Sequence, residues 1–134
     1  ESGKQLLEVE NLLLQNTYFQ TTILRFGGLI GEDRHPINFL AGRNNIENPQ
    51  APINLIHQQD CIEIIQKIIE KEVWNTVLNA VAPFHPTRKK YYTEKALEQN
   101  LALPQFNENE HSLGKTVSSN KLIQLLNYQF KNLG

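Results

Sequence analysis

Methionine is absent from this chain, cysteine and tryptophan occur once each, and neither sign of charge prevails. Each shortage excludes something. A chain with no methionine is not a whole translated product, so Glu1 is expected to mark a processing or cleavage boundary and the chain a fragment. Cys61 stands alone, which rules out an internal disulfide framework and points to a reducing, cytoplasmic setting. A net charge of −1 with no basic stripe gives no reason to expect nucleic acid as a partner. Apolar runs extend only a few residues, far below the ~20 that span a bilayer, so no membrane partner is expected. The opening ESGKQ is charged and polar, unlike a signal peptide. Four scattered histidines and one cysteine offer no zinc spacing, and no metal site is expected.

What is present centres on Thr21–Gly31, TTILRFGGLIG. Thr21 to Leu24 and Phe26 form a short, nearly continuous apolar run, the pattern of a strand buried on both faces in a parallel sheet. Arg25 interrupts it and should reach a polar pocket or the surface. Gly27, Gly28 and Gly31 then read as a tight turn, at the carboxyl end of a strand where α/β proteins seat ligands. The stretch is not a dinucleotide fingerprint. Phe26 occupies the place of the first glycine, Glu32–Pro36 intervenes before any helix, and no acidic residue follows about 20 positions on.

Along the chain, Ser2 and Gln5 suggest a capping box for a helix over Lys4–Gln15, with Leu6, Leu7, Val9, Leu13 and Leu14 as its apolar stripe. Pro36 opens a short helix over Ile37–Gly42, and Asn44–Pro52 is polar loop. Ile53–Ile56 is a brief strand. Asp60 and Glu63 suggest a second capping box, with Ile62, Ile65, Ile68 and Ile69 at helical spacing to Lys71. Thr76–Val81 is a second good strand, and Ala82–Thr87 a proline-stiffened turn. Thr87 caps a helix over Arg88–Asn100 whose apolar face holds Tyr91, Tyr92, the Lys95 stem and Leu97. Leu103–Ser112 is loop, Thr116–Ser118 a short strand, and Leu122–Leu126 a last helix capped by Ser119 or Asn120 and finished by Tyr128 and Phe130. The class is α/β, yet two convincing strands are too few for an independent parallel sheet.

In order and spacing, these signals resemble the C-terminal part of extended short-chain dehydrogenases/reductases, the NAD-dependent epimerase/dehydratase family. Thr21–Pro36 is similar to the family's strand and loop after its catalytic helix. Asn54–Asp60 resembles its His–Asp segment, and Val77–Ala82 the strand that follows. His85–Arg88 through Tyr91-Tyr92, with Gly114–Ser118, is similar to an atypical, nucleoside-diphosphate-sugar epimerase-like branch. The likeness covers nearly the whole chain. It implies the C-terminal portion of a Rossmann-like parallel sheet plus a small substrate-side domain, with the dinucleotide-binding N-terminal half absent. Residues 1–31 would be the last helix and strand of the Rossmann-like part and 32–134 mostly the substrate-side domain, with 76–81 returning to the main sheet.

The resemblance also implies NAD or NADP in the intact protein, none bound to this fragment, and a small-molecule substrate of the nucleotide-sugar kind. Arg25, Phe26, Gly27 and Gly28 would face the cofactor. Arg34, His35, His85 and Arg88 would face the substrate. The family's Tyr-x-x-x-Lys pair falls on Ser2 and Leu6, neither of which can pass a proton, so no catalytic residue is assigned. The residues by themselves also allow plainer roles: core-turn duty for Arg25–Gly28, solvated loop for Arg34 and His35, and a shaped turn for His85–Arg88. His57 and Asp60 are read as turn and cap, Cys61 as a small buried residue, Lys89-Lys90 as a solvated face, and Tyr91 and Tyr92 as packing. Two functions follow: a substrate-side fragment of an epimerase/dehydratase-like oxidoreductase, or a non-catalytic NAD(P)-sensing or scaffold relative. A self-standing α/β domain is the third reading. An unpaired sheet edge in an excised half-sheet would invite self-association.

Overall fold

Leu55 and Ile56 are neighbours in sequence, both buried, and they serve opposite cores. Side chains alternate across a strand, so one short strand can separate two apolar layers. In the computed structural model, which describes residues 2–109 and 113–133, that strand is the divider of an α/β fold. Helix α1 covers Ser2–Gln15; strands β1 and β2 cover Thr22–Phe26 and Gly28–Ile30; the short helix α2 covers Ile37–Leu40. Then come β3 (Leu55–His57), α3 (Gln58–Glu70), β4 (Thr76–Ala80), α4 (Arg88–Glu98) and α5 (Asn120–Leu126). Both strand pairs are parallel: β1 runs beside β4 from Thr22↔Thr76 to Phe26↔Ala80, and β2 beside β3 from Gly28↔Leu55 to Ile30↔His57.

One core joins Ile56, Leu78 and Ala80 of the strands to Cys61, Ile64 and Ile68 of α3, Leu122 and Leu126 of α5, and Tyr128. The other joins Ile30, Ile53 and Leu55 to Ile37 of α2 and to Tyr91, Tyr92 and Ala96 of α4. Each leucine or isoleucine among them contributes roughly 1.5–3 kcal/mol by leaving water.

Several local expectations are corrected. The glycine stretch is no tight turn: Gly27 donates to Ala80 O at 3.1 Å and Gly28 to Asn54 O at 2.8 Å, so the chain steps from one strand pair to the next. Gly27 is glycine for clearance, because a Cβ there would lie 2.6 Å from Asn54 O. The tight turn comes later, where Gly31 and Arg34 bond each other's backbone. Strand β1 is half-buried at best rather than covered on both faces, and Phe26 is 44% exposed. Nor does α1 bury any residue, so its leucine stripe is uncovered. Ser2, expected as the cap, is already inside the helix.

Helix α3 is capped by His57, whose side chain accepts from Gln59 N, and not by Asp60, which lies buried inside its first turn. Its buried stripe is Cys61, Ile64 and Ile68, while Ile62, Ile65 and Ile69 are exposed. Strand β3 starts two residues after the expected Ile53. On α4, Ala96 replaces Leu97 on the buried face. Thr116–Ser118 is no strand: the Asn54 side chain takes the part of a partner strand, donating to Lys115 O and accepting from Val117 N, both at 2.8 Å. Ser119 opens α5 without a side-chain capping bond; its hydroxyl instead brackets Val81, accepting from the N–H and donating to the carbonyl at 2.7 Å. Of the loop expected over Leu103–Ser112, residues 110–112 lie outside the described residues. Gly42 is left-handed at φ +74° but does not close α2, which ends at Leu40 with Ala41 as its C-cap. Thr87 does cap α4, accepting from Lys90 N.

Candidate functional site

Proline-stiffened backbone shapes the candidate site before any side chain enters it. Pro36 fixes the start of α2, and the Gly31–Arg34 turn delivers His35 against α4. His35 Nδ1 accepts from Ile37 N at 3.0 Å, so its proton sits on Nε2, which lies 2.9 Å from the Tyr91 hydroxyl. The Nε2–H therefore donates to the phenol oxygen, and the phenol's own proton is left to donate elsewhere. The imidazole stacks on Tyr91 at 5.7 Å between centroids and meets the edge of Tyr92 at 6.2 Å. Burial, reinforced by the Lys95 ammonium, holds His35 below the usual histidine range, so it is neutral at pH 7. Burial first, then Tyr92 and Glu98, pushes Tyr91 up to about 12. It is a donor at neutral pH, not a base.

Lys95 lies one turn along α4 from Tyr91, with Nζ 5.7 Å over the Tyr91 ring and 2.9 Å from Glu98. Around these residues lies a recess of about 290 Å³, lined among others by Asn38, His57, Gln99 and Asn132. His57 spends Nδ1 on the α3 cap, which puts its proton on Nε2. A second hollow of about 470 Å³ adjoins it on the other side of His35, lined by Leu29, Asp33, Arg34 and Phe39.

Of the eight residues singled out from sequence, only His35 lines both hollows. Arg34 is exposed in the larger one. His85 is a brace: its Nδ1 lies 2.8 Å from Ile53 O and donates to it, locking the turn before α4. Arg88 sits with its guanidinium 5.5 Å over the Tyr92 ring, so it reaches the same aromatic cluster as His35 from another side. Its buried Nε has no hydrogen-bond partner among the described residues. Arg25 projects from β1 into a two-pronged contact with Glu10 of α1, which holds that carboxylate below its usual range. Phe26 and Gly28 remain open at the carboxyl end of β1.

Sequence reasoning treated Tyr91 as packing and Lys95 as a stem, and passed over Asn38, Gln99 and Asn132. The i, i+4 spacing of Tyr91 and Lys95 was the available signal; the amides carried none. Asp60 is fully buried, with Oδ1 accepting from Tyr128 and Oδ2 without a partner among the described residues. Burial and Asp60 push the Cys61 thiol up, away from thiolate chemistry. Among the described residues no three or more metal-ligating side chains gather, and no helix is long and apolar enough to cross a membrane.

No protein-family model matches the chain. It is 30% identical over 131 residues to Protein YeeZ of Escherichia coli (strain K12), covering 97% of this chain and 47% of that protein. A putative NAD-dependent epimerase/dehydratase from Methylobacillus flagellatus superposes with a TM-score of 0.77 at 26% identity, over 96% of this chain and 47% of that one. MoeE5, solved with UDP-glucuronic acid and NAD, superposes at 0.73 and 15% identity, over 94% and 48%. The chain thus spans about half the length of the proteins it matches, and its α/β architecture is that of the Rossmann-like, NAD-dependent epimerase/dehydratase-like structures.

Proposed function

We propose that this chain is the C-terminal, substrate-side part of an NAD(P)-dependent epimerase/dehydratase-like oxidoreductase and does not turn over by itself. The observation that carries the reading is the in-register parallel pairing of β1 with β4, in a half-sheet that overlays half of such enzymes. On this reading residues 1–31 close the Rossmann-like part and residues 32–134 form mostly the substrate side. Phe26 and Gly28, open at the end of β1, fit contact with a flat ring such as nicotinamide. Arg25 fits less well, since Glu10 already holds its guanidinium. No strand–glycine turn–helix arrangement for a pyrophosphate occurs among the described residues, so that task falls to the preceding half. Arg34 and His35 then face a small-molecule substrate of the nucleotide-sugar class, with His85 and Arg88 shaping the wall.

Fluorescence titration of NADH and NADPH tests this. The chain alone should show no saturation at micromolar nucleotide, and co-expression with its preceding segment should create it. Micromolar affinity in the chain alone would overturn the reading. The second reading, a non-catalytic NAD(P)-sensing or scaffold relative, is favoured by Ser2 and Leu6 standing where the Tyr/Lys pair would be. Under it the joined protein binds nucleotide but reduces or epimerises nothing.

A further inference from the structure

The chain leaves α5 through Asn127, in the left-handed region at φ +49°, and runs on through residues 128–133 without regular structure. The near end of this segment is anchored. Tyr128 belongs to the core of Ile56, Ile64 and Leu122, and its N–H donates to Ile123 O at 3.2 Å. Its hydroxyl reaches Asp60 and Glu63 in the first two turns of α3. Phe130 meets the Tyr128 ring edge-on, with centroids 5.2 Å apart.

The far end is held by much less. Gln129, Lys131 and Asn132 are exposed, and among the described residues no backbone-to-backbone hydrogen bond reaches 129–133. Lys131 N–H donates to Asp60 Oδ1 at a long 3.4 Å, and its ammonium lies 3.3 Å from Glu63, an exposed pair worth little. The last hold is Leu133, half-buried against the core of Ile37, Tyr91 and Ala96. Releasing these contacts breaks no helix or sheet ladder, so it is among the cheapest openings available to the fold. Yet this end is also a wall. Asn132 and Leu133 line the recess of about 290 Å³ beside His35. The recess's other lining residues sit on strands, on helices or in turns closed by backbone bonds.

We propose that residues 129–133 are a strap that shuts one side of the recess and swings on the Tyr128 anchor. It is closed in this structure and opens when Leu133 and Lys131 let go, which widens the way to His35. Asp60 and Glu63 hold the pivot, so the first two turns of α3 set where the strap lies. The device needs only residues of this chain and stands apart from the dinucleotide reading.

Backbone amide relaxation dispersion and hydrogen exchange on the chain, recorded at two concentrations to separate self-association, test it. Microsecond-to-millisecond exchange at one common rate is expected at Lys131, Asn132 and Leu133 and across the recess at Gly31. Leu78 and Ala80 should show none, and the Tyr128 amide should stay as protected as they are. Leu133→Ala should raise the open population about tenfold by removing the apolar hold. Lys131→Ala, which touches no core, should act in the same direction by a smaller factor. The proposal is wrong if the amides of 131–133 exchange only through global unfolding, or if they give sharp coil-like signals with no closed state. It is equally wrong if Gly31 does not share their rate, or if Leu133→Ala loosens Leu78 and Ala80 to the same degree.

Discussion

The Tyr128 hydroxyl donates to Asp60 Oδ1 at 2.5 Å, joining the second residue after α5 to the buried first turn of α3, 68 positions away. Glu63 Oε2 lies 3.1 Å from the same hydroxyl, and Asp60 Oδ2 has no partner among the described residues. Burial and the two carboxylates hold the phenol well above its usual range. Tyr128→Phe removes the main donor from a buried carboxylate and should cost about 1–3 kcal/mol, read as a lower urea midpoint at unchanged slope. Adding Asp60→Asn should return part of that loss; strict additivity would show the pair uncoupled.

Stability should fall at both ends of the pH range, for different residues. Tyr91 is raised from 10.0 to about 12 in the fold, so its contribution is whole below pH 10 and is lost as pH climbs toward 12. His35 is lowered, so its contribution is whole above the ordinary value of 6.5 and is lost on acidification below it. Urea midpoints measured across pH should flatten on the alkaline side in Tyr91→Phe and on the acid side in His35→Gln.

Two glycines should respond in opposite ways to alanine. At Gly27 the added Cβ meets the Asn54 carbonyl at 2.6 Å, and backbone cannot step aside, so a loss of about 1–3 kcal/mol is expected. At Gly3 nothing lies within 4 Å and the residue is helical, so alanine should gain about 0.5–1 kcal/mol. Thermal melts of the two variants check both signs.

Among the described residues strand β1 has a partner only on its β4 side, and Leu12 of α1 (70% exposed) and Ile69 of α3 (59% exposed) present apolar surface. We expect this chain to self-associate in solution, with sedimentation coefficients that rise with concentration. Leu12→Lys with Ile69→Lys should lower the association. A monomer at every concentration would count against an exposed half-sheet.

The helices and the two longer strands could be read from residue patterns because apolar spacing and caps such as Thr87 act locally. Which face would be covered could not. The Leu6–Leu14 stripe and the Ile62–Ile69 set look like core, yet burial depends on what packs opposite, and Ile62, Ile65 and Ile69 stay exposed. His57 displaced Asp60 as a cap because a buried tyrosine 68 positions on claims the carboxylate. Thr116–Ser118 has strand composition, but its partner is one asparagine side chain, which no periodicity announces. The same limit applies to the recess: His35 could be suspected from its loop, whereas Asn38, Gln99 and Asn132 come together only through folding.

Gly27 bonds Ala80 while Gly28 bonds Asn54, and Ala82 N reaches Leu55 O at 2.8 Å, so no slack separates the two strand pairs. The crossing is a weld and not a hinge. Any movement of one strand pair against the other must bend the polypeptide elsewhere.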